Sequence, residues 1–254
     1  MVSLIVTAKL NDVDPQAWRA DVFARLPNLP VRRMPDVLPW NWRRVDRARV
    51  AVSEHEVTTD AIARLKITLD DVEPVVSRRI EVPLSIRLDR LHQVLQIVVR
   101  WTDSHLYEFR FRGIGFGIPD PDWGIGDGPI EARKTTLLAV IEDTSAKSFK
   151  YLYDFGGGWE RAIKIEKIQP AAFGLTYPRL LAATGRCPPE DVGGPWGYKE
   201  MLEAFADPHR ERHGEMHDWL GSDFDPNAPI DTSAIDSNLL TLDKRWARRP
   251  SRKP

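Results

Sequence analysis

Between Phe149 and Ile168 the order of residues writes a hairpin. FKYLYDF places Phe149, Tyr151, Tyr153 and Phe155 at alternate positions, the period of a strand with one buried face. Gly156, Gly157 and Gly158 follow, and glycine accepts the positive φ angles of a tight turn without steric cost. WERAIKIEKI then completes the second strand. An aromatic face of this kind has to be covered, so the rest of the chain must supply further strands and helices to pack on it.

It does so from Arg64 onward. RLKITLD alternates through Leu65, Ile67 and Leu69, and SRRIEVPLSI reads as a second strand ending near Pro83. LDRLHQVLQIVVRW puts Leu88, Leu91, Leu95, Val98 and Val99 on one face of an amphipathic helix. LYEFRF alternates again through Tyr107, Phe109 and Phe111, and GIGFGIPDPDWGIGDGP reads as a glycine- and proline-rich loop. ARKTTLLAVI is apolar but fits either period. After Tyr177-Pro178 comes the loop CPPEDVGGPWG, then a helix over YKEMLEAFAD and another across Arg210–Leu220. Hairpins rather than regular β–α alternation predict an α+β fold, an antiparallel hairpin-rich sheet packed against helices. No GxxxxGK[ST] is present, and the glycines of GIGFG do not lie between a strand and a helix, so nucleotide-loop readings fail on context.

The ends of the chain have a different texture. DPQAWRADVFARLP predicts a short helix over residues 14–27, but Pro30, Pro35 and Pro39 break the stretch after it, leaving residues 1–60 a mostly irregular N-terminal extension. The domain proper is expected over 64–232. The terminal KRWARRPSRKP is basic and carries two prolines, so 233–254 is expected to be a disordered tail. The net charge of −1 conceals this unevenness. Basic termini can touch DNA through its phosphates, whereas residues 101–230 are acidic, with 14 Lys/Arg against 21 Asp/Glu. A single cysteine, Cys187, excludes an internal disulfide framework and a cysteine-cluster metal site. No apolar run approaches the roughly 20 residues of a membrane span, and the N-terminus lacks the basic lead of a signal peptide. The expectation is a cytoplasmic protein with no membrane contact.

Four segments, WTDSHLYEF (101–109), YDFGGGWER (153–161), CPPEDVGGPWGY (187–198) and WLGSDFDPNA (219–228), occur in the order and approximate spacing of the plasmid pRiA4b ORF-3-like family, which this chain resembles from about Lys66 to Ile230. The resemblance implies an α+β domain carried by plasmids and insertion elements, with no reaction firmly attached. DPQAWRADVFARLPNLPVRRMPDVLPWNWR (14–43) is similar to the C-terminal tail of insertion sequence 66 family transposases. Only that tail is present, so transposase chemistry does not follow. Within the larger resemblance the usual pattern is YDFGDGWEH, so Gly157 stands where an acid is typical and Arg161 where a histidine is typical. Val192 stands where many relatives have a second cysteine.

The candidate catalytic pair is Asp103 and His105. Two apart at a strand entrance, they suit a general base with its orienter or two metal ligands. The competing reading makes Asp103 a turn residue and His105 a strand residue with one satisfied hydrogen bond. Asp154 and Glu160 bracket the glycine turn and complete a candidate divalent-metal set with Asp103 and His105. Trp101, Asp154, Trp159, Glu160, Glu190 and Asp191 are the candidate binding residues. His209, His213 and His217 recur at four-residue intervals but read as a solvated face, and Asp223 and Asp225 as turn residues. No cofactor is expected beyond that possible metal. The favoured expectation is a non-catalytic binding or accessory module engaging a protein. The rivals are a metal-dependent nuclease or recombination-related enzyme using Asp103, His105, Asp154 and Glu160, and a DNA-binding accessory acting through the basic termini.

Overall fold

The computed structural model describes residues 61–119 and 128–247, with Trp18, Val22 and Leu38 as isolated positions. The chain divides into two units, Met1–Glu56 and Val57–Pro254, and the strands and helices described below lie in the second. The helix expected at 14–27 falls, apart from Trp18 and Val22, outside the described residues.

In chain order the second unit runs β1 (Ala61–Leu69), β2 (Ser77–Pro83), α1 (Leu88–Val99), β3 (Tyr107–Phe111), β4 (Ile114–Gly117) and β5 (Ile130–Glu131). A 3-10 turn (Ala132–Lys134) leads to α2 (Leu137–Thr144), β6 (Ser148–Tyr153), β7 (Trp159–Pro170) and β8 (Arg179–Thr184). The helices α3 (Gly194–Ala206), α4 (His213–Leu220) and α5 (Thr232–Ala247) complete it. The strands form one eight-stranded sheet in the order β5-β4-β3-β6-β7-β1-β2-β8. Every pairing is antiparallel except β4 with β5. The fold is α+β, as the hairpin pattern requires.

Alternation decides which side of the sheet is dry. Tyr107, Phe109 and Phe111 of β3 and Phe149, Tyr151 and Tyr153 of β6 are all buried, and Phe109 lies 4.8 Å from the Tyr151 ring and Phe111 4.2 Å from Phe149. Offset and tilted ring pairs of this kind add specificity to the area they bury. The α1 stripe, from Leu88 to Val99, is buried as its spacing predicts. The opposite parity carries charge: Arg79 pairs with Glu166, and Lys150 with Asp70 and Glu160. Glu81 is buried between Arg64 and Arg179, at 2.8 and 2.9 Å. Among the described residues no helix is long and apolar enough to cross a membrane.

Three expectations are corrected. Phe155 does not continue the aromatic face. Asp154 adopts φ 55, which ends strand alternation one residue earlier and leaves Phe155 48% exposed. The segment read as a loop after Phe111 contains β4, joined to β3 by a two-residue turn in which Arg112 and Gly113 both have positive φ. That is the type I′ geometry that matches strand twist. Finally, the chain does not become irregular at 233. α5 extends to Ala247 with Ile235, Leu239 and Leu242 buried, and Trp246 donates to Gln93 of α1 at 2.9 Å. Positions 235, 239 and 242 form a helical stripe that the terminal basic residues overshadowed. Residues 248–254 lie outside the described ones.

Candidate functional site

Three segments meet at one end of the sheet: 101–106 between α1 and β3, the β6–β7 tip at 154–158, and 185–193 between β8 and α3. β8 is an edge strand four places from β6, so the last segment has to be drawn back across the sheet end. Buried Arg78 of β2 anchors it. Its guanidinium donates to the carbonyls of Val98 (2.7 Å), Thr184 (2.8 Å) and Gly185 (3.1 Å) and to Cys187 Sγ (3.2 Å). Burial pushes the Cys187 thiol up despite the neighbouring arginines, so it is protonated and inert near neutrality. At the far end of the segment, Gly194 adopts φ +72 and touches the hairpin tip so closely that an added Cβ would fall 1.8 Å from the Gly157 carbonyl oxygen.

Glu190 is the hub. Its carboxylate accepts from the Thr102 backbone N–H (2.8 Å), the Thr102 hydroxyl (2.6 Å), the Ser104 hydroxyl (3.0 Å) and the Tyr153 hydroxyl (2.5 Å). Burial alone would raise its pKa, but these donors outweigh burial and hold the carboxyl below the usual range. The Tyr153 oxygen in turn accepts from the backbone N–H groups of Ser104 and His105, at 2.8 and 3.2 Å. Trp101, buried, donates its indole N–H to the Pro188 carbonyl at 2.9 Å.

His105 and Asp103 part company, although they are two residues apart. The His105 Nε2–H donates to Asp191 at 2.7 Å, and its Nδ1 lies 3.7 Å from Asp154. The hydrogen bond to Asp191 raises the imidazole pKa, and the carboxylates of Asp154, Asp191 and Glu190 add to it. Asp103, in a left-handed turn at φ 63, instead accepts from His92 Nε2 at 2.5 Å. Because a carboxylate only accepts, His92 Nδ1 must be the acceptor for the Tyr151 hydroxyl at 2.7 Å, and Gln96 donates to that hydroxyl at 2.9 Å. The result is a directed chain, Gln96 to Tyr151 to His92 to Asp103, with the His92 ring stacked on Tyr107 at 3.7 Å.

The expected four-residue set therefore does not assemble. Glu160 pairs with Lys150 on the opposite face of the sheet, as strand parity requires once Trp159 is inward. The groups that do converge are His105, Asp154 and Asp191, whose ligand atoms lie within 4.8 Å of one another. One imidazole and two carboxylates can coordinate a divalent cation, with the remaining positions open to water. Trp159 is fully buried and belongs to the core beside Trp101, at 5.2 Å between rings. Beneath the cluster Arg161 is also buried, its guanidinium 4.2 Å from the Trp101 ring and without a hydrogen-bond partner among the described protein groups. Desolvation lowers its pKa.

Sequence reading missed His92, Tyr153, Thr102 and Ser104. His92 carried a signal, a polar residue on the apolar face of α1, and Tyr153 carried none beyond its place in an aromatic stripe. Of the three histidines expected on a solvated face, His209 is exposed, whereas His213 and His217 are partly buried. His213 and His217 bond the carbonyls of Ala204 and Phe205 at 3.0 and 3.2 Å, closing α4 on the end of α3. Asp225 is a turn residue, accepting from Asn227 N–H at 2.8 Å.

A groove of about 470 Å³ runs between α3 and α4 beside Asp191. Trp196 and Trp219 stand on it, 71% and 50% exposed, together with Glu200 and the Arg212–Glu215 pair.

Comparison with known proteins fits this picture. The model for the plasmid pRiA4b ORF-3-like protein family matches residues 61–232, and that for the IS66 C-terminal element matches residues 3–40. The uncharacterized protein y4hQ of Sinorhizobium fredii is 57% identical over 193 residues, 76% of this chain and 98% of the relative. The uncharacterized protein y4hP of the same organism is 47% identical over 53 residues, 21% of this chain but 10% of that protein. The crystal structure of the protein of unknown function MM3350 from Methanosarcina mazei Go1 superposes with a TM-score of 0.61 at 34% identity, covering 69% of this chain and 98% of that one. A plasmid-type model and an insertion-element model on one chain mark it as associated with mobile elements. The chain belongs to the plasmid pRiA4b ORF-3-like family.

Proposed function

We propose that the chain is a non-catalytic accessory module of a mobile element, which docks a protein in the groove between α3 and α4. The observation that carries this reading is how the motif side chains are used. Glu190, Tyr153 and Trp101 spend their hydrogen bonds tying the segments at the sheet end together and Asp103 spends its own on His92 of α1, while Trp196 and Trp219 remain exposed. Paired exposed tryptophans on a groove are the usual anchors of a protein interface. The IS66 C-terminal element in the same chain supports a transposase-type protein as the partner.

The test is interferometry of the purified chain against a purified protein carrying that element. Saturable binding that is lost in the Trp196→Ser, Trp219→Ser double variant is expected. Binding that survives both substitutions removes the groove from the reading.

A second reading, metal-dependent nuclease, is favoured by one observation, the convergence of His105, Asp154 and Asp191. Cleavage of duplex or single-stranded DNA with manganese or magnesium, lost in His105→Ala, would replace the first reading with this one. A DNA-binding role through the basic terminus predicts affinity that falls steeply with salt and disappears on removal of residues 248–254. That truncation is preferable to a longer one because it leaves α5 intact.

A further inference from the structure

A cleft of about 530 Å³, distinct from the tryptophan groove, opens between α1, the 3-10 turn and α5. Four arginines line it from three separate elements: Arg87, the N-cap of α1, Arg90 in its first turn, Arg133 in the 3-10 turn and Arg245 near the end of α5. Among the described residues two carboxylates share the cleft, and both are engaged. Asp89 is held by the Arg87 guanidinium through two bonds of 2.8 and 2.7 Å, and Asp103 is held by His92 at 2.5 Å. Arg90 stacks on the Trp246 ring at 4.9 Å. Arg133 and Arg245 are exposed, and among the described residues neither enters an ion pair.

Guanidinium groups lining one cleft repel one another, and among the described residues no carboxylate pairs with Arg133 or Arg245. An anion from outside relieves that repulsion. Among the described lining residues the four arginines exceed the two aspartates by two positive charges. Planar donors offered from separate elements suit the several oxygens of a dianionic tetrahedral phosphate, which can be approached from more than one side. The rim adds an apolar component, because Leu106 and Ile118 line the same cleft and are 57% and 55% exposed. The volume is that of a small-molecule site. We infer that this cleft binds a phosphate monoester, with Arg133 and Arg245 contacting the phosphate and Leu106 and Ile118 lying against the organic group.

Isothermal titration of the full chain with inorganic phosphate, adenosine 5′-monophosphate, adenosine and citrate tests this. The monophosphate is expected to bind saturably and adenosine not to bind. The Arg133→Gln, Arg245→Gln double variant is expected to weaken monophosphate binding at least tenfold with an unchanged thermal melt, since both side chains are exposed. Inorganic phosphate binding as tightly as the ester also supports the arginine contacts, and shows free phosphate to be sufficient. The inference is overturned if neither phosphate compound binds up to about 10 mM, a limit near the weakest affinities such titrations resolve. It is equally overturned if citrate is preferred to phosphate, or if the double variant binds as well as the parent.

Discussion

Replacing Glu190 by alanine removes the acceptor for four donors at once, among them the Tyr153 hydroxyl and the Thr102 backbone N–H. A hydrogen bond to a charged group contributes about 1.5–3 kcal/mol net. The four share one carboxylate and do not add, and the site is partly open to water, which can replace some of them. The expected loss is therefore about 2–4 kcal/mol, less than the sum of its parts. For a domain of this size that lowers the melting temperature by about 4–16 °C.

The pH dependence is a sharper test than the melt alone. A carboxyl whose pKa is depressed by folding contributes stability that is fully present above its unfolded value, about 4.3 for glutamate, and is lost as pH falls through the lower folded value. Parent protein should lose stability through that acid window, and Glu190→Gln, which cannot ionise, should show a shallower loss there. A double-mutant cycle with Tyr153→Phe should show positive coupling, because the two side chains share a 2.5 Å bond. If Glu190→Ala melts within about 2 °C of the parent, or the cycle shows no coupling, the network does not hold the three segments together. The proposal that these motif residues serve architecture would then fail with it.

Neighbouring contacts set three other outcomes. Asp191→Asn should lower the His105 pKa, measured by NMR titration of its ring protons, because the hydrogen bond from His105 to Asp191 is the largest cause of its elevation; an unmoved titration would mean the bond does not form in solution. Stabilisation from His105 is present below its ordinary value and fades as pH rises through the raised one, so Asp191→Asn should also flatten the loss of stability as pH rises above that ordinary value. Arg161→Met should be neutral or stabilising by about 1–3 kcal/mol in urea unfolding, since methionine avoids the cost of a buried cation whose main compensation is the Trp101 ring; a large destabilisation would show that the guanidinium has a partner in solution. Gly194→Ala should destabilise by more than the roughly 1–2 kcal/mol of a left-handed backbone alone, because its methyl would collide with the Gly157 carbonyl; a melt equal to the parent would separate the hairpin tip from α3.

Strand parity explains both what the sequence made legible and where its reading went astray. Residues 107, 109, 111, 149, 151 and 153 announce a buried aromatic face through alternation alone, and that face is where the structure puts them. The same rule, carried across the turn, assigns Glu160 to the outer face as soon as Trp159 is placed inside. Grouping Glu160 with Asp154 relied on closeness in the chain instead, and closeness across a five-residue turn does not preserve side. The union of His105 with Asp191 is of another kind. It depends on an 86-residue separation closed by Arg78, which reaches from β2 to the Gly185 carbonyl and Cys187 and so bends the segment after β8 toward the hairpin tip. Nothing local to either motif encodes that path, and resemblance supplied it indirectly by requiring the motifs to occur together. What resemblance could not supply was the division of labour between Asp103 and His105. One left-handed residue, Asp103 at φ 63, turns its carboxylate onto His92 and lets the chain carry His105 to Asp191, so a pair adjacent in sequence serves two different networks.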